Sequence, residues 1–109
     1  MSTDTAKGRI LIVDDDPRAV EILLRMLQRE GYECIGVNSG VEALAAARRG
    51  VDVILLDVMM PGMDGLQVCE RLRADEELMQ IPVMLLTARD DLETRAQGMQ
   101  LGVSEFLTK

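Results

Sequence analysis

The sequence predicts an α/β domain built on an open, doubly wound parallel sheet, and three observations carry that expectation. Three short apolar runs, Ile10 to Val13, Val53 to Leu56 and Val83 to Leu86, show no alternation of polar with apolar residues. Continuous β-rich runs of this length suit strands buried on both faces, as a parallel sheet covered by helices requires. Segments with helical spacing lie between the runs, and the weaker runs Glu33 to Val37 and Glu105 to Leu107 complete the order βαβαβαβαβ. The chain has 109 residues, 48% apolar and 28% charged, enough for one packed core and a poor fit to disorder or a coiled coil. Each crossover must be right-handed and lay its helix on one face or the other, while the strand order stays open at this point.

The first helix is the best defined: Ala19, Ile22, Leu23, Met26 and Leu27 recur at three and four residues. Asp16 can cap it, Pro17 suits its first position and Gly31 can end it. The second, from about Gly40 to Arg49, starts behind Ser39 and stops at Gly50. The third runs from about Gly65 to Ala74 on Leu66, Cys69 and Leu72, with Val68 adjacent. The fourth, from about Asp91 to Leu101, uses Leu92, Arg95, Ala96 and Met99. There is no internal repeat, low-complexity tract or linker, so residues 8–109 are expected to form one domain behind a flexible terminus at 1–7.

Twelve basic against nineteen acidic residues leave a net charge of −7, which repels phosphate backbones and anionic lipid heads. Direct nucleic-acid binding and membrane association are therefore not expected. Cys34 and Cys69 lie far apart, with no C-x-x-C pair and no histidine in the chain, so neither a zinc site nor a disulfide framework is indicated. Both thiols are expected to be reduced and buried. The polar N-terminus and the brevity of the Ile10 to Val13 run exclude a signal-peptide core or a membrane span there, and a cytoplasmic location is expected. Without histidine, serine-triad and zinc-hydrolase chemistries drop out and carboxylate chemistry remains.

The polar residues that need explaining occur directly after strands. Asp14, Asp15 and Asp16 follow the first, Asp57 the third, Thr87 the fourth and Lys109 the fifth. In a parallel sheet these positions converge on the carboxyl edge, where open α/β folds bind ligands. A lone Asp after a strand is ordinarily an N-cap, and Asp16 before Pro17 fits that role. Asp14, Asp15 and Asp57 together exceed what capping needs, and clustered carboxylates repel one another strongly at low effective dielectric. A divalent cation relieves that repulsion, and hard oxygens without imidazole or paired thiolate favour magnesium over zinc. A carboxylate beside magnesium can either hold the metal or attack phosphorus and carry an acyl phosphate. The second role needs neutralisation of the transferring oxygens, for which Lys109 and Thr87 are the right species.

Four blocks in order, Ile10 to Pro17, Leu55 to Gly65, Pro82 to Ala88 and Gly102 to Lys109, resemble the receiver domains of two-component response regulators. The string D-x-x-M-P-x-M-D-G from Asp57 to Gly65 is the most specific of them. The resemblance covers the chain from about Gly8 onward and implies the flavodoxin-like strand order 2-1-3-4-5. It implies that Asp57 is the phosphoacceptor, that Asp14 and Asp15 are the acidic pair, and that the backbone carbonyl of Met59 is a further magnesium ligand. Asp15 would touch the metal directly and Asp14 partly through water. Thr87 would bond a phosphoryl oxygen, and Lys109 would pair with the phosphate or, before transfer, with Asp57. Ala88 would leave access to Asp57 unobstructed, Met59 and Arg89 would tune the lifetime of the phosphoryl group, and Phe106 takes the position of a switching aromatic. Packing against the fourth helix accounts for Phe106 equally well. Pro61, Gly62 and Gly65 fit a tight turn, and Met59, Met60 and Met63 read as packing and turn residues rather than a soft-metal site.

The implied function is a phosphorylation-controlled switch, a regulatory domain rather than an enzyme, which assists its own phosphorylation and dephosphorylation. Its partners would be a sensor histidine kinase or phosphotransfer protein and a downstream output domain or protein. Receivers of this kind continue past the lysine into a fifth helix, whereas the sequence stops at Lys109. The domain is therefore expected to lack that helix and to expose apolar side chains of the fourth and fifth strands, with either marginal stability or self-association through the uncovered sheet face as the result. Two other readings are a pseudo-receiver that keeps the fold without phosphoryl transfer, and a haloacid-dehalogenase-like phosphatase suggested by Asp14-x-Asp16.

Overall fold

The computed structural model describes residues 7–87 and 92–108. Its elements alternate as expected: β1 (Arg9–Val13), α1 (Pro17–Arg29), β2 (Glu33–Val37), α2 (Gly40–Ala47), β3 (Val53–Asp57), α3 (Gly65–Arg73), β4 (Val83–Thr87), α4 (Leu92–Gln100) and β5 (Glu105–Thr108). The five strands form one parallel sheet in the order β2-β1-β3-β4-β5. Asp57 and Thr87 are strand residues rather than loop residues, so β3 and β4 each extend one position past their apolar run.

The uninterrupted apolar runs separate onto two faces by alternation. Leu11, Val13, Ile54, Leu56, Val83 and Leu85 join Ala43 and Ala47 of α2 and Val68, Cys69 and Leu72 of α3 in the larger core. Ile10, Ile12, Leu55 and Leu86 pack with Val20, Leu23, Leu24 and Leu27 of α1 in the smaller one. Leu86 is buried on the α1 face and Met84 partly so, because they belong to this same cluster. Exposure of that face is therefore less than expected along β4, while Leu107 on β5 is exposed.

Helix ends follow the local chemistry. The Asp16 side chain accepts from Arg18 N at 3.0 Å with Pro17 opening α1, and Ser39 accepts from Glu42 N at the start of α2. Asp64 and Gln67 close a reciprocal capping box on α3. The Arg73 guanidinium at the end of α3 donates to the carbonyls of Leu101 (2.8 Å), Met79 (2.9 Å) and Ile81 (2.8 Å), tying α3 to the far end of α4.

Two helix faces differ from the periodicity reading. On α1 the inward set is Val20, Leu23, Leu24 and Leu27, while Ile22 and Met26 face water. The apolar stripe is wider than the contact it makes, and β2 selects the Val20 side. A Cβ at Gly36 would lie 2.5 Å from Val20 Cγ1 and 3.3 Å from Leu24 Cδ1, so α1 approaches β2 at a distance only glycine permits. On α4 the expected Leu92 and Met99 are 85% and 72% exposed, and the helix instead rests through buried Gly98 on Phe106. Asp91, the expected first residue of α4, lies outside the described residues. Cys69 is fully buried as expected, whereas Cys34 is only half-buried. Burial pushes both thiols up, helped at Cys34 by Glu33 and opposed at Cys69 by Arg73, which disfavours the reactive thiolate.

Gly36→Ala is expected to destabilise the domain by about 1–3 kcal/mol through overpacking. Urea unfolding should show the loss, and Val20→Ala in the same chain should restore part of it. An unchanged midpoint in Gly36→Ala would contradict the close approach of α1 to β2.

Candidate functional site

The register of the sheet assembles the acidic site. Val13 pairs with Leu56 across β1 and β3, so Asp14, the next residue, comes level with Asp57. Leu86 of β4 pairs with Asp57, which carries Thr87 one step beyond it at the same sheet edge. Asp15 follows Asp14 in the loop leading to α1. One carboxylate oxygen from each of Asp14, Asp15 and Asp57 lies within 4.8 Å of the others.

The three acids differ in their surroundings. Asp14, Asp57 and Thr87 are 1%, 2% and 2% exposed, while Asp15 faces water. Asp14 Oδ1 accepts from Asp16 N at 3.0 Å, which engages it in an Asx turn. The backbone amide of Met59 donates to Asp57 Oδ1 over a long 3.4 Å, while the Met59 side chain is exposed. Two charged carboxylates separated by no more than 4.8 Å repel by at least about 3.5 kcal/mol at an effective dielectric of ~20. Such an arrangement suits a bound cation, and an all-oxygen donor set is chemically matched to a hard divalent ion.

The loop after β3 is held close to Asp57. Gly62 sits at φ 74°, in the left-handed region that glycine favours, and turns the chain toward α3. A Cβ at Gly65 would lie 2.3 Å from the Asp57 carbonyl oxygen and 2.8 Å from Val58 Cα, so the first turn of α3 rests directly on the backbone of Asp57 and Val58. The tight turn expected from Pro61, Gly62 and Gly65 is thus tied to the position of Asp57 as well as to the path of the chain.

The acidic pair and Asp57 come together as expected, with Thr87 on the adjoining strand. Lys109, Ala88 and Arg89 lie outside the described residues. Asp16 is outside the cluster because its side chain caps α1, which removes the second acid of the Asp14-x-Asp16 phosphatase reading. Phe106 is half-buried against the main core, with Arg95 above its ring at 5.4 Å from the centroid. Sequence reasoning passed over Asn38, although it too directly follows a strand. Its side-chain amide donates to the Asp14 carbonyl at 3.0 Å. No helix among the described residues is long and apolar enough to cross a membrane.

Comparison with known proteins agrees with this geometry. The family model for the response regulator receiver domain matches residues 10–109. Response regulator PleD of Caulobacter vibrioides is 50% identical over 94% of the chain and 23% of its own length. The uncharacterized transcriptional regulatory protein YkoG of Bacillus subtilis is 43% identical over 94% of the chain and 45% of its own length. The DNA-binding response regulator MtrA of Mycolicibacterium smegmatis is 40% identical over 97% of the chain and 46% of its own length. The chain thus spans from about a quarter to about half of these relatives. Among solved structures, Vibrio cholerae chemotaxis protein CheY4 superposes with a TM-score of 0.90 at 32% identity, over 95% of this chain and 88% of that one. The N-terminal domain of a response regulator receiver protein from Methanoculleus marisnigri JR1 gives 0.88 at 36% identity, over 95% and 85%. A match to the family along nearly the whole sequence, joined to a shared fold at these identities, means that the chain belongs to the receiver domains of two-component response regulators.

Proposed function

We propose that this receiver domain takes a phosphoryl group from a partner histidine kinase or phosphotransfer protein onto Asp57, with magnesium, and presents a changed surface to a downstream output. The observation that carries the reading is the buried Asp57 carboxylate within 4.8 Å of Asp14 and Asp15 oxygens, at the edge where Thr87 also ends its strand. Local turn contacts engage Asp14 and Asp57 singly but do not account for the convergence of all three acids.

In the proposed step an Asp57 oxygen attacks phosphorus. The new O–P bond forms as the donor's P–N bond breaks, and the histidine nitrogen keeps the electron pair and takes up a proton. The product is an acyl phosphate on Asp57. Magnesium, when bound, neutralises the transferring oxygens and orients them for in-line displacement. Asp14, Asp15, Asp57 and the Met59 carbonyl are the groups of this chain assigned to hold it. Asp15, being exposed, can exchange water for metal with little rearrangement. Asp14, buried beside Asp57, contributes a carboxylate oxygen from the inner side of the cluster. The Thr87 hydroxyl donates to a phosphoryl oxygen, and the Lys109 ammonium supplies the second positive charge. The same groups would assist hydrolysis of the acyl phosphate, a regulatory role rather than turnover of a free substrate. We infer a cytoplasmic setting, and an output borne by another segment or protein, as the name of the MtrA relative illustrates for DNA binding.

Incubation with a small acyl or amido phosphate and magnesium should add one phosphoryl group by intact mass. The addition is expected to disappear in Asp57→Asn and on chelation. Equal labelling of Asp57→Asn, or labelling indifferent to chelator, would show that the acceptor is misassigned; no labelling of the parent at all would favour a pseudo-receiver.

Metal binding is expected before any phosphate arrives. Asp15→Asn removes one charge and one hard ligand, so magnesium affinity should fall by about tenfold or more, equivalent to ~1.4 kcal/mol, with the fold retained. Titration calorimetry of parent and variant measures this, and equal affinities would remove Asp15 from the metal site.

A further inference from the structure

Of the three clustered acids, Asp15 is the one whose side chain has the least support. It is exposed, and no hydrogen bond or ion pair among the described residues holds its carboxylate. Its place beside Asp14 and Asp57 must therefore come from the backbone that presents it. That backbone leaves the sheet at Val13 and is no longer held by the β1–β3 ladder at Asp15.

The end of β2 supplies the missing restraint. Asp14 N donates to the Val37 carbonyl at 3.3 Å, and one residue on, the Asn38 side-chain amide donates to the Asp14 carbonyl at 3.0 Å. Only the amide nitrogen of Asn38 can pair with a carbonyl, so the contact fixes which way the side chain is turned. The Asp14 carbonyl belongs to the same planar peptide unit as the Asp15 amide nitrogen. Rotation of that unit is what would swing the Asp15 Cα and its carboxylate out of the cluster. Asp14 has a second anchor, because its Oδ1 accepts from Asp16 N, whereas the peptide between the two acids is gripped from β2 by Asn38.

We propose that Asn38 is a positioning residue for the divalent-cation site: its amide orients the Asp14–Asp15 peptide so that the Asp15 carboxylate faces Asp57. This deepens the proposed function and rests on its assignment of Asp15 as a metal ligand. Asn38 acts through Asp15 and does not itself touch the ion. Groups that orient metal ligands from behind typically change affinity by about 10- to 100-fold, and a partly exposed amide belongs at the lower end of that range.

The test is a double-mutant cycle read by magnesium titration of the protein without phosphodonor, with melting in chelator as the control for folding. Asn38→Leu keeps the branched shape and heavy-atom count and removes the donor, and should weaken magnesium about 10-fold. Asn38→Gln retains an amide donor and should recover part of that loss. In an Asp15→Asn background, Asn38→Leu should have almost no further effect, since the group it positions is gone. A purely structural role would lower the melting temperature in chelator and weaken magnesium equally in both backgrounds. Should Asn38→Leu fail to fold, Asn38→Ala takes its place in the same cycle. Parent-like magnesium affinity in the Asn38 variant, or additive losses in the double variant, overturns the positioning role while the metal site stands. Magnesium binding that is absent in the parent, or indifferent to Asp15→Asn, overturns the site assignment and the positioning role with it.

Discussion

Val13 lies opposite Leu56, and the acidic site depends on that register more than on any single side chain. Because β1 and β3 run parallel, Asp14, just past β1, and Asp57, the last residue of β3, lie at the same edge and at the same height. A slip of one position would turn every apolar side chain of the strand to the opposite face, exchanging the contents of two cores that differ in size and in the helices covering them. The hydrophobic pattern of Ile10 to Val13 thus fixes the spacing of two carboxylates that repel each other. Packing energy, distributed over Leu11, Ile12, Ile54 and Leu56, offsets an electrostatic cost concentrated at the edge.

Close backbone approaches support this arrangement at two places. Gly36 lets Val20 and Leu24 of α1 press on β2, which aligns the edge strand whose terminus holds Asp14. Gly65 lets α3 rest on the Asp57 carbonyl, and the Asp64–Gln67 capping box fixes the start of that helix. In both cases a side chain would push a helix away from the sheet beside an acidic residue. Conformational freedom is therefore a lesser part of what these glycines contribute; the space they leave is the larger part.

The fold was legible because the strands are short, apolar and uninterrupted, and the caps Asp16, Ser39 and Asp64 are local signals. The acids were legible because parallel strands end at one edge and the motif from Asp57 to Gly65 is dense in specific residue types. Helix faces were harder to read. The stripe on α1 contains two overlapping periodic sets, and choosing Val20 over Ile22 required knowing that Gly36 lay opposite. On α4 the apolar residues point to water and a glycine makes the contact, an inversion that periodicity cannot express. Asn38 was missed for a related reason: its role is to hold a backbone carbonyl of another strand, and only the tertiary pairing of β1 with β2 brings the two together.

The division between buried and exposed acids has a consequence for how charge moves through the proposed site. Asp57 is fixed by pairing with Leu86 and Asp14 by its backbone contacts to Val37 and Asn38, and both are closed off from water, so neither carboxylate can turn outward without disturbing the sheet edge. Asp15, exposed and held among the described residues through its backbone, can follow an arriving cation or release it. Transfer would replace the single negative charge of the Asp57 carboxylate by about −1.5 to −2 on the acyl phosphate, a net gain of roughly −0.5 to −1 in the same crevice. The acids proposed to hold a metal would then face a more negative partner, which on the proposed reading the metal and the Lys109 ammonium would balance. On that account the resting site is already arranged for a cation before the phosphoryl group arrives, and the added charge changes the balance of forces at the ends of β3 and β4. Thr87, which ends β4 beside β5, is the residue through which that change would first reach the rest of the sheet.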